Sequence, residues 1–303
     1  MPRFDAPSIS RTSKLVPLAI SWHAEHLPHA VIIDCTADQA VADRYAGWLE
    51  RGINIVTPNK KAFSGKQSYY EALASSARKG NAHYLYETTV CAALPVIRTI
   101  RDLVDTGDRV RSLEGILSGT LAYLFNVYDG SVPFSEILAE ARASGYTEPD
   151  PRDDLSGMDV ARKLTILARE LGQSIEIGDF PVQNLIAEDL RGMAVDEFLS
   201  ELSNYDDEML ARYTEAKGEG KQLRYVARLT DQGEASVGLE KVDADAPFSN
   251  ISSTDNIVQY TTDRYSANPL VIQGPGAGPE VTAGGVFGDL LRLATFLGDG
   301  SLK

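Results

Sequence analysis

"AVIIDCTADQAVADRYAGWLERGINIVTP", residues 30–58, decides the fold. "AVIIDCTAD" reads as a buried strand ending in a polar turn, because its apolar run is unbroken until the acid. "ADRYAGWLERG" then carries a helical pattern, with Gly52 as its stop signal. A second buried strand, "INIVTP", follows at once. Strands that are apolar throughout need cover on both faces, which a parallel crossover unit supplies.

The same alternation continues downstream. The turn "NKKAFSG" leads to a helix through "YYEALASSARKG" and a strand in "HYLYETTV". A β–α–β–α–β order of this kind predicts a doubly wound parallel sheet, whose ligands lie beyond the carboxyl ends of the strands. "CTAD" and "TPNKK" fall there. Upstream, residues 1–29 are irregular and hold no G-x-G-x-x-G-like turn. The expected fold is therefore α/β, with an incomplete Rossmann-like sheet.

Beyond residue 90 the pattern changes. Helices fit "LPVIRTIRDLVDTGD", "SGTLAYLFNVYDG", "PFSEILAEARASG" and "DVARKLTILARELG", with a strand in "VRSLEGIL". In the last of these helices Val160, Leu164, Leu167 and Leu171 share one face. Residues 182–222 are helical and acidic. "LRYVARLT", "ASVGLEKV" and "NIVQYTTD" read as antiparallel strands, the first two joined by the turn "DQG". The chain then runs strand, glycine-rich loop and helix over "PLVIQGPGAGPEVTAGGVFGDLLRLATFLG". This second part is α+β, and no internal repeat occurs.

A formal net charge of −14 over 303 residues argues against nucleic acid or anionic membrane as a partner, since both need a basic footprint. Two cysteines, Cys35 and Cys91, cannot build a disulfide framework. Both sit in strand-like runs, so both are expected as buried free thiols, and a cytoplasmic location follows. The early run "LVPLAI" is too short for a signal core or a membrane span. The four histidines (His23, His26, His29 and His83) show no ligand spacing.

The densest chemistry lies in "YTEPDPRDDLSGMDVARK", residues 146–163. Pro149 and Pro151 hold the backbone extended and set Glu148, Asp150, Asp153 and Asp154 close together. Asp159 and Lys163 are four apart on one helix. The plainest reading is an acidic helix entry with a surface ion pair. Against it, both residues fall beside the apolar stripe, so Lys163 should be partly desolvated. That predicts a lowered pKa and a capacity to shuttle protons. A divalent metal held by the carboxylates is a third reading, with Mg²⁺ in mind.

Residues 141–163 resemble the signature segment of homoserine dehydrogenases, through Ala141, Gly145, Asp150-Pro151, Asp154-Leu155, Gly157, Asp159 and Lys163. "ILSGTLAYLFN", "TPNKKAFS", "LRYVAR" and "NPLVIQGPGAGPEVTAGGVFGDLLRL" resemble the same family. They look closest to the dehydrogenase half of bifunctional aspartokinase–homoserine dehydrogenases. The resemblance implies interconversion of L-homoserine and L-aspartate 4-semialdehyde with NADP or NAD, in threonine, methionine and isoleucine biosynthesis. It implies catalytic roles for Lys163 and Lys60, and homoserine binding by Glu148, Asp159, Asp154, Gly119 and Thr120. Cofactor contacts are implied for Thr36, Lys60, Gly145, Gly278 and Thr282. A structural monovalent cation, Na⁺ or K⁺, is implied at Glu87 with the carbonyls of Val90 and Ala92. Family members commonly carry glycines at the positions of Cys91 and Ala93, so this loop departs from the pattern. A homodimer or higher homo-oligomer is implied as well.

On this resemblance, residues 1–90 form a partial dinucleotide-binding domain, completed by a C-terminal helix over 278–303. Residues 91–277 form the homoserine-binding catalytic and dimerisation domain. The chain is expected to lack the pyrophosphate-binding turn, the first crossover helix and the kinase half. The alternative from another class is a non-catalytic dimerising or regulatory fragment of the same family.

Overall fold

The computed structural model describes residues 29–298. The described chain opens with β1 (Ala30–Ile33), helices α1 (Gln39–Ala42) and α2 (Tyr45–Glu50), and β2 (Ile53–Val56). Helices α3 (Lys61–Ser64) and α4 (Gln67–Gly80) lead to β3 (Tyr84–Leu85). The strands pair in parallel in the order β1-β2-β3, with Ala30 opposite Ile53 and Ile55 opposite Tyr84. β2, in the middle, is buried along its whole length, whereas edge strand β1 is only half-buried and leaves Ile33 exposed. Ile55 faces a core containing Tyr45, Leu49, Phe63 and Leu73. Its neighbour Val56 faces Leu293, near the C-terminal end of the described chain.

Two local expectations need correction. β1 stops at Ile33, and Cys35 lies exposed in the following loop rather than buried in a strand. The cause is Asp34, whose carboxylate accepts the Thr36 backbone N–H at 2.8 Å and turns the chain. The helix expected after it is split in two, α1 being capped by Asp38, which accepts from the Ala40 N–H at 2.8 Å. Cys91 is buried, as expected.

Helix α5 (Val96–Asp105) precedes β4 (Val110–Ile116), α6 (Gly119–Val127) and α7 (Phe134–Ala143). Helices α8 (Pro151–Leu155), α9 (Met158–Glu170), α10 (Val195–Glu201) and α11 (Asp206–Gly218) follow. Strands β5 (Lys221–Thr230), β6 (Ala235–Asp243), β7 (Asp255–Thr262) and β8 (Leu270–Pro275) lead to α12 (Pro279–Phe296). The second sheet is antiparallel, in the order β6-β5-β4-β7-β8. Helix α9 buries Val160, Leu164 and Leu167 against it, which is the stripe expected from the sequence. Helix α12 lies on the parallel sheet through Leu293. Of the helix expected over 278–303, residues 299–303 lie outside the described residues, as do residues 1–28 of the N-terminal segment.

Helices α2 and α4 end in backbone contact. A Cβ placed on Gly80 would lie 1.9 Å from the Leu49 carbonyl oxygen and 2.8 Å from the Glu50 carbonyl carbon. Neither atom can swing away as a side chain can. Gly80→Ala is therefore expected to destabilise the protein by about 3 kcal/mol, the upper end for overpacking. Urea unfolding checks this, and an unchanged midpoint would refute it.

Candidate active site

The site is built on the turn before α9. Gly157 has φ +72°, and a Cβ there would lie 1.9 Å from the Tyr225 hydroxyl. Only glycine fits this left-handed bend, which aims the first turn of α9 at the end of β4. Lys163 is 8% exposed. Its Nζ donates to the Leu117 carbonyl at 2.7 Å and pairs with Asp159 at 2.8 Å. Lys60 Nζ reaches the other oxygen of Asp159 at 3.3 Å. One carboxylate thus bridges two ammonium groups that are far apart in sequence.

The electrostatics differ from the sequence-based expectation for Lys163. Burial alone pulls its pKa down, but the Asp159 carboxylate outweighs burial and holds the ammonium above the ordinary lysine value. For Asp159, burial pushes upward, and the two lysines overcome it, leaving the carboxyl well below its usual range. In this state Lys163 is a charged, paired lysine rather than a poised base.

Each lysine is held by contacts the sequence did not disclose. Lys60 stands at the start of α3, just after buried Asn59. The Asn59 amide donates to the Asp34 carboxylate at 3.0 Å and to the Asp38 carbonyl at 3.1 Å. The Tyr45 hydroxyl donates to the same Asp34 carboxylate, and Thr57 donates to the Asp34 carbonyl at 2.7 Å. This buried knot joins the loops after β1 and β2. The far end of α3 is tied to α9 by Arg169, which donates to the carbonyls of Phe63 at 2.6 Å and Gly65 at 2.7 Å. The helix carrying Lys163 therefore also fixes the helix that begins at Lys60.

The acidic stretch divides its labour. Asp150 caps α8, accepting from the Arg152 N–H at 3.0 Å, and pairs with the Arg152 guanidinium at 2.7 Å. The helix-entry reading is right for this acid. Asp154 instead accepts the Glu148 backbone N–H at 2.8 Å, and the Thr120 hydroxyl lies 2.8 Å from its other oxygen. Burial, with Glu148 and Asp159 nearby, raises the Asp154 pKa despite those bonds. Ser118 caps α6 by accepting from Leu121 N–H at 3.2 Å. Gly119 and Thr120 thereby present the first turn of α6 to the same space.

That space is a cavity of about 670 Å³. Lys60, Asp159 and Lys163 line it with Gly119, Thr120, Glu148 and Asp154, and Gly145, Gly278, Thr282 and Ala92 complete its rim. An apolar trench of about 460 Å³ adjoins it, walled by Ile33, Val286, Phe287 and Leu290 and sharing Pro58, Gly278 and Thr282. Two expected contacts lie elsewhere. Thr36 is exposed on the β1 loop and lines neither cavity. The Glu87 carboxylate is buried and accepts the N–H groups of Ile97 at 2.8 Å and Arg98 at 2.9 Å, at the start of α5. Cys91 and Ala92, between Val90 and the cavity, take left-handed backbones with φ +58° and +52°. Among the described residues, no group of three or more His, Cys, Asp or Glu side chains could hold a metal ion. The divalent-metal reading finds no support there.

The joined cavities suit a nicotinamide dinucleotide. The trench offers an apolar wall for a flat ring, and the start of α12 has no side-chain cap from the described residues over its N–H groups. Thr88 lines the cavity, and its hydroxyl is buried with no hydrogen-bond partner among the described residues.

Comparison with known proteins agrees with this class. The family model "Homoserine dehydrogenase, NAD binding domain" matches residues 5–87. The model "Homoserine dehydrogenase" matches residues 95–291. A homoserine dehydrogenase of Schizosaccharomyces pombe is 46% identical over 272 residues, covering 87% of this chain and 72% of that protein. Bifunctional aspartokinase/homoserine dehydrogenase 2 of Arabidopsis thaliana is 48% identical over 279 residues, 91% of this chain. The chain spans 30% of the length of that relative. A crystal structure of a Candida auris protein of unknown function superposes with a TM-score of 0.89 at 41% identity, covering 93% of this chain and 81% of that one. The chain belongs to the homoserine dehydrogenase family.

Proposed function

We propose that this chain interconverts L-homoserine and L-aspartate 4-semialdehyde with NADP or NAD. The observation that carries the reading is the Lys60–Asp159–Lys163 bridge in a cavity that also holds Glu148 and the start of α6. The bound nicotinamide supplies hydride transfer. The chain's own residues handle charge, orientation and the proton.

Homoserine carries an ammonium and a carboxylate. Glu148 and Asp159 take the ammonium, and the N–H groups of Gly119 and Thr120 take the carboxylate. Asp154 positions both groups through its bonds to Glu148 N and Thr120. Once the substrate ammonium shares Asp159, that carboxylate holds Lys163 less strongly. Burial then favours the neutral amine, which accepts the hydroxyl proton during oxidation. In reverse, the Lys163 ammonium returns the proton to the aldehyde oxygen. Lys60, on the opposite side of Asp159, steadies developing negative charge on that oxygen. Gly145, Gly278 and Thr282 bound the cofactor side, and Thr36 is left for the cofactor's outer parts.

The proposal includes a cofactor-binding part, residues 1–90 with the closing segment 278–303 that holds α12, and a catalytic and dimerising part, residues 91–277. It includes a homodimer or higher homo-oligomer in the cytoplasm. No helix among the described residues is long and apolar enough to cross a membrane. It also includes a Na⁺ or K⁺ ion at Glu87 with the carbonyls of Val90 and Ala92. Among the described residues the buried Glu87 carboxylate meets only backbone N–H groups in its hydrogen bonds, and a cation would keep it charged against the burial that pushes its pKa up to about 7.

The test is reduction of NADP⁺ or NAD⁺ on addition of L-homoserine to the full chain. Turnover is expected. A flat trace, with homoserine still bound, would overturn the reading in favour of a non-catalytic dimerising or regulatory fragment.

A further inference from the structure

The Thr120 hydroxyl meets two oxygens and has one hydrogen to give. It lies 2.7 Å from the Tyr146 carbonyl oxygen and 2.8 Å from one carboxyl oxygen of Asp154. Both are lengths of a full O–H···O bond rather than of a shared hydrogen. A backbone carbonyl has no hydrogen, so the Thr120 hydrogen goes to Tyr146. The contact with Asp154 then needs a hydrogen from Asp154 itself. The other carboxyl oxygen of Asp154 accepts the Glu148 backbone N–H at 2.8 Å, which a neutral acid does through its carbonyl oxygen. One proton on Asp154 therefore completes the chain: Asp154 donates to Thr120, and Thr120 donates to Tyr146.

The charges at the cavity favour that proton. Glu148 faces Asp154 from the loop before α8, and Asp159 faces it from α9. Asp153, on α8 itself, adds another acid to the cavity wall. Lys163 of α9 and Lys60 at the start of α3 oppose them, but both ammonium groups are engaged by Asp159. Burial, and after it the neighbouring acids, raise the Asp154 pKa above the ordinary 3.8 against the pull of its two hydrogen bonds. The substrate gives the proton a use. Its carboxylate settles on the N–H groups of Gly119 and Thr120, and the Thr120 side chain is one hydrogen bond from Asp154. An ionised Asp154 would repel that carboxylate, whereas a neutral one does not.

Resting on the proposed function, we infer that Asp154 serves as a neutral acid, its proton donated to the Thr120 hydroxyl, so that the carboxylate of an α-amino acid substrate binds at the start of α6 without facing another anion. Asp154 is thus a positioning residue that ties binding of a carboxylate-bearing substrate to a proton. The bound carboxylate favours the protonated form further, so the Asp154 pKa is higher in the complex than in the free protein. Homoserine affinity is full below the free-protein value. It falls as pH rises from that value to the higher one, by up to about tenfold per pH unit, and binding in that window takes up a proton.

The test uses the full chain with NADPH present, so that ligands bind without turnover. Homoserine and 3-amino-1-propanol, which lacks only the carboxylate, are titrated by calorimetry across pH into wild type and Asp154→Asn. The asparagine side chain copies the neutral acid, its N–H donating to Thr120 and its oxygen accepting from Glu148. Wild type should lose homoserine affinity as pH rises through the window and take up about one proton per homoserine bound. Asp154→Asn should do neither. The contributions of Glu148 and Asp159 to holding the ammonium are common to both ligands. Wild type should therefore bind 3-amino-1-propanol without the fall, a comparison that needs no variant to fold. Infrared difference spectra should show a carboxylic-acid band in wild type that Asp154→Asn lacks. Superposed homoserine profiles in the two proteins, an equal fall with both ligands, or no difference in the acid band would overturn the inference. If homoserine still reduces NADP⁺, those results sink only the proton on Asp154. If homoserine neither binds nor turns over, the functional reading falls and this inference with it.

Discussion

Lys163→Ala is expected to lower turnover by roughly 10³-fold, within the usual range for removing a positioned general acid–base group. Homoserine affinity should change little. Lys163 is 8% exposed, and in the substrate-free protein its ammonium is engaged by Asp159 and the Leu117 carbonyl. Its contact with the reacting oxygen is therefore made as the proton moves, which puts its contribution in turnover. Deleting it leaves Asp159 still paired with Lys60 at 3.3 Å, so the acid stays in place for the substrate ammonium. Glu148→Ala should do the opposite. Glu148 is an exposed side chain on the cavity rim, and its backbone N–H, not its carboxylate, is bonded to Asp154. The alanine variant keeps that backbone bond and loses the charge, so homoserine affinity should fall about tenfold while turnover at saturation persists. Steady-state kinetics with a separate homoserine-binding titration distinguishes the two. Equal loss of turnover and affinity in both variants would deny them separate roles.

How much of this was legible depends on whether a property is local. The parallel strands were legible because "AVII" and "INIV" are apolar but for Asn54, a pattern that suits a sheet with cover on its faces. The burial of Lys163 was legible from its place beside the stripe of Val160, Leu164 and Leu167. Its charge state was not. Asp159 is near in sequence, but Lys60 arrives from another strand's loop, and the contest between burial and ion pairing is tertiary. The exposure of Cys35 is not legible in "AVIIDCTAD", because β1 ends before Asp34. That acid is satisfied by Tyr45, Asn59 and the Thr36 N–H, and it ends the strand. One hint existed, since a single acid closes the apolar run there. No periodicity shows that Arg169 is 4% exposed and spans to α3. Thr88 carried no signal at all, because an unpaired hydroxyl is defined by what its neighbours fail to provide.

Asp159→Asn tests the electrostatic core of the proposal through pH. Oxidation of homoserine needs neutral Lys163, and in the free protein Asp159 keeps that lysine charged and its pKa above the ordinary 10.5. For wild type, kcat/KM in the oxidative direction should therefore rise with pH through the alkaline range, reporting the free protein's ionisation. Asparagine removes the negative charge but keeps the shape. With the ion pair gone, burial is the dominant influence left on Lys163, and burial disfavours the ammonium. The sign is fixed: the pKa of Lys163 falls, and the rising limb moves to lower pH, by about one unit or more. The same substitution deprives the substrate ammonium of a partner, so KM for homoserine should rise at every pH. The two effects separate cleanly, because only the first moves the position of the limb. A limb at the same pH in Asp159→Asn and wild type would mean that Lys163 is not the group titrating in the reaction, whatever its distance from Asp159.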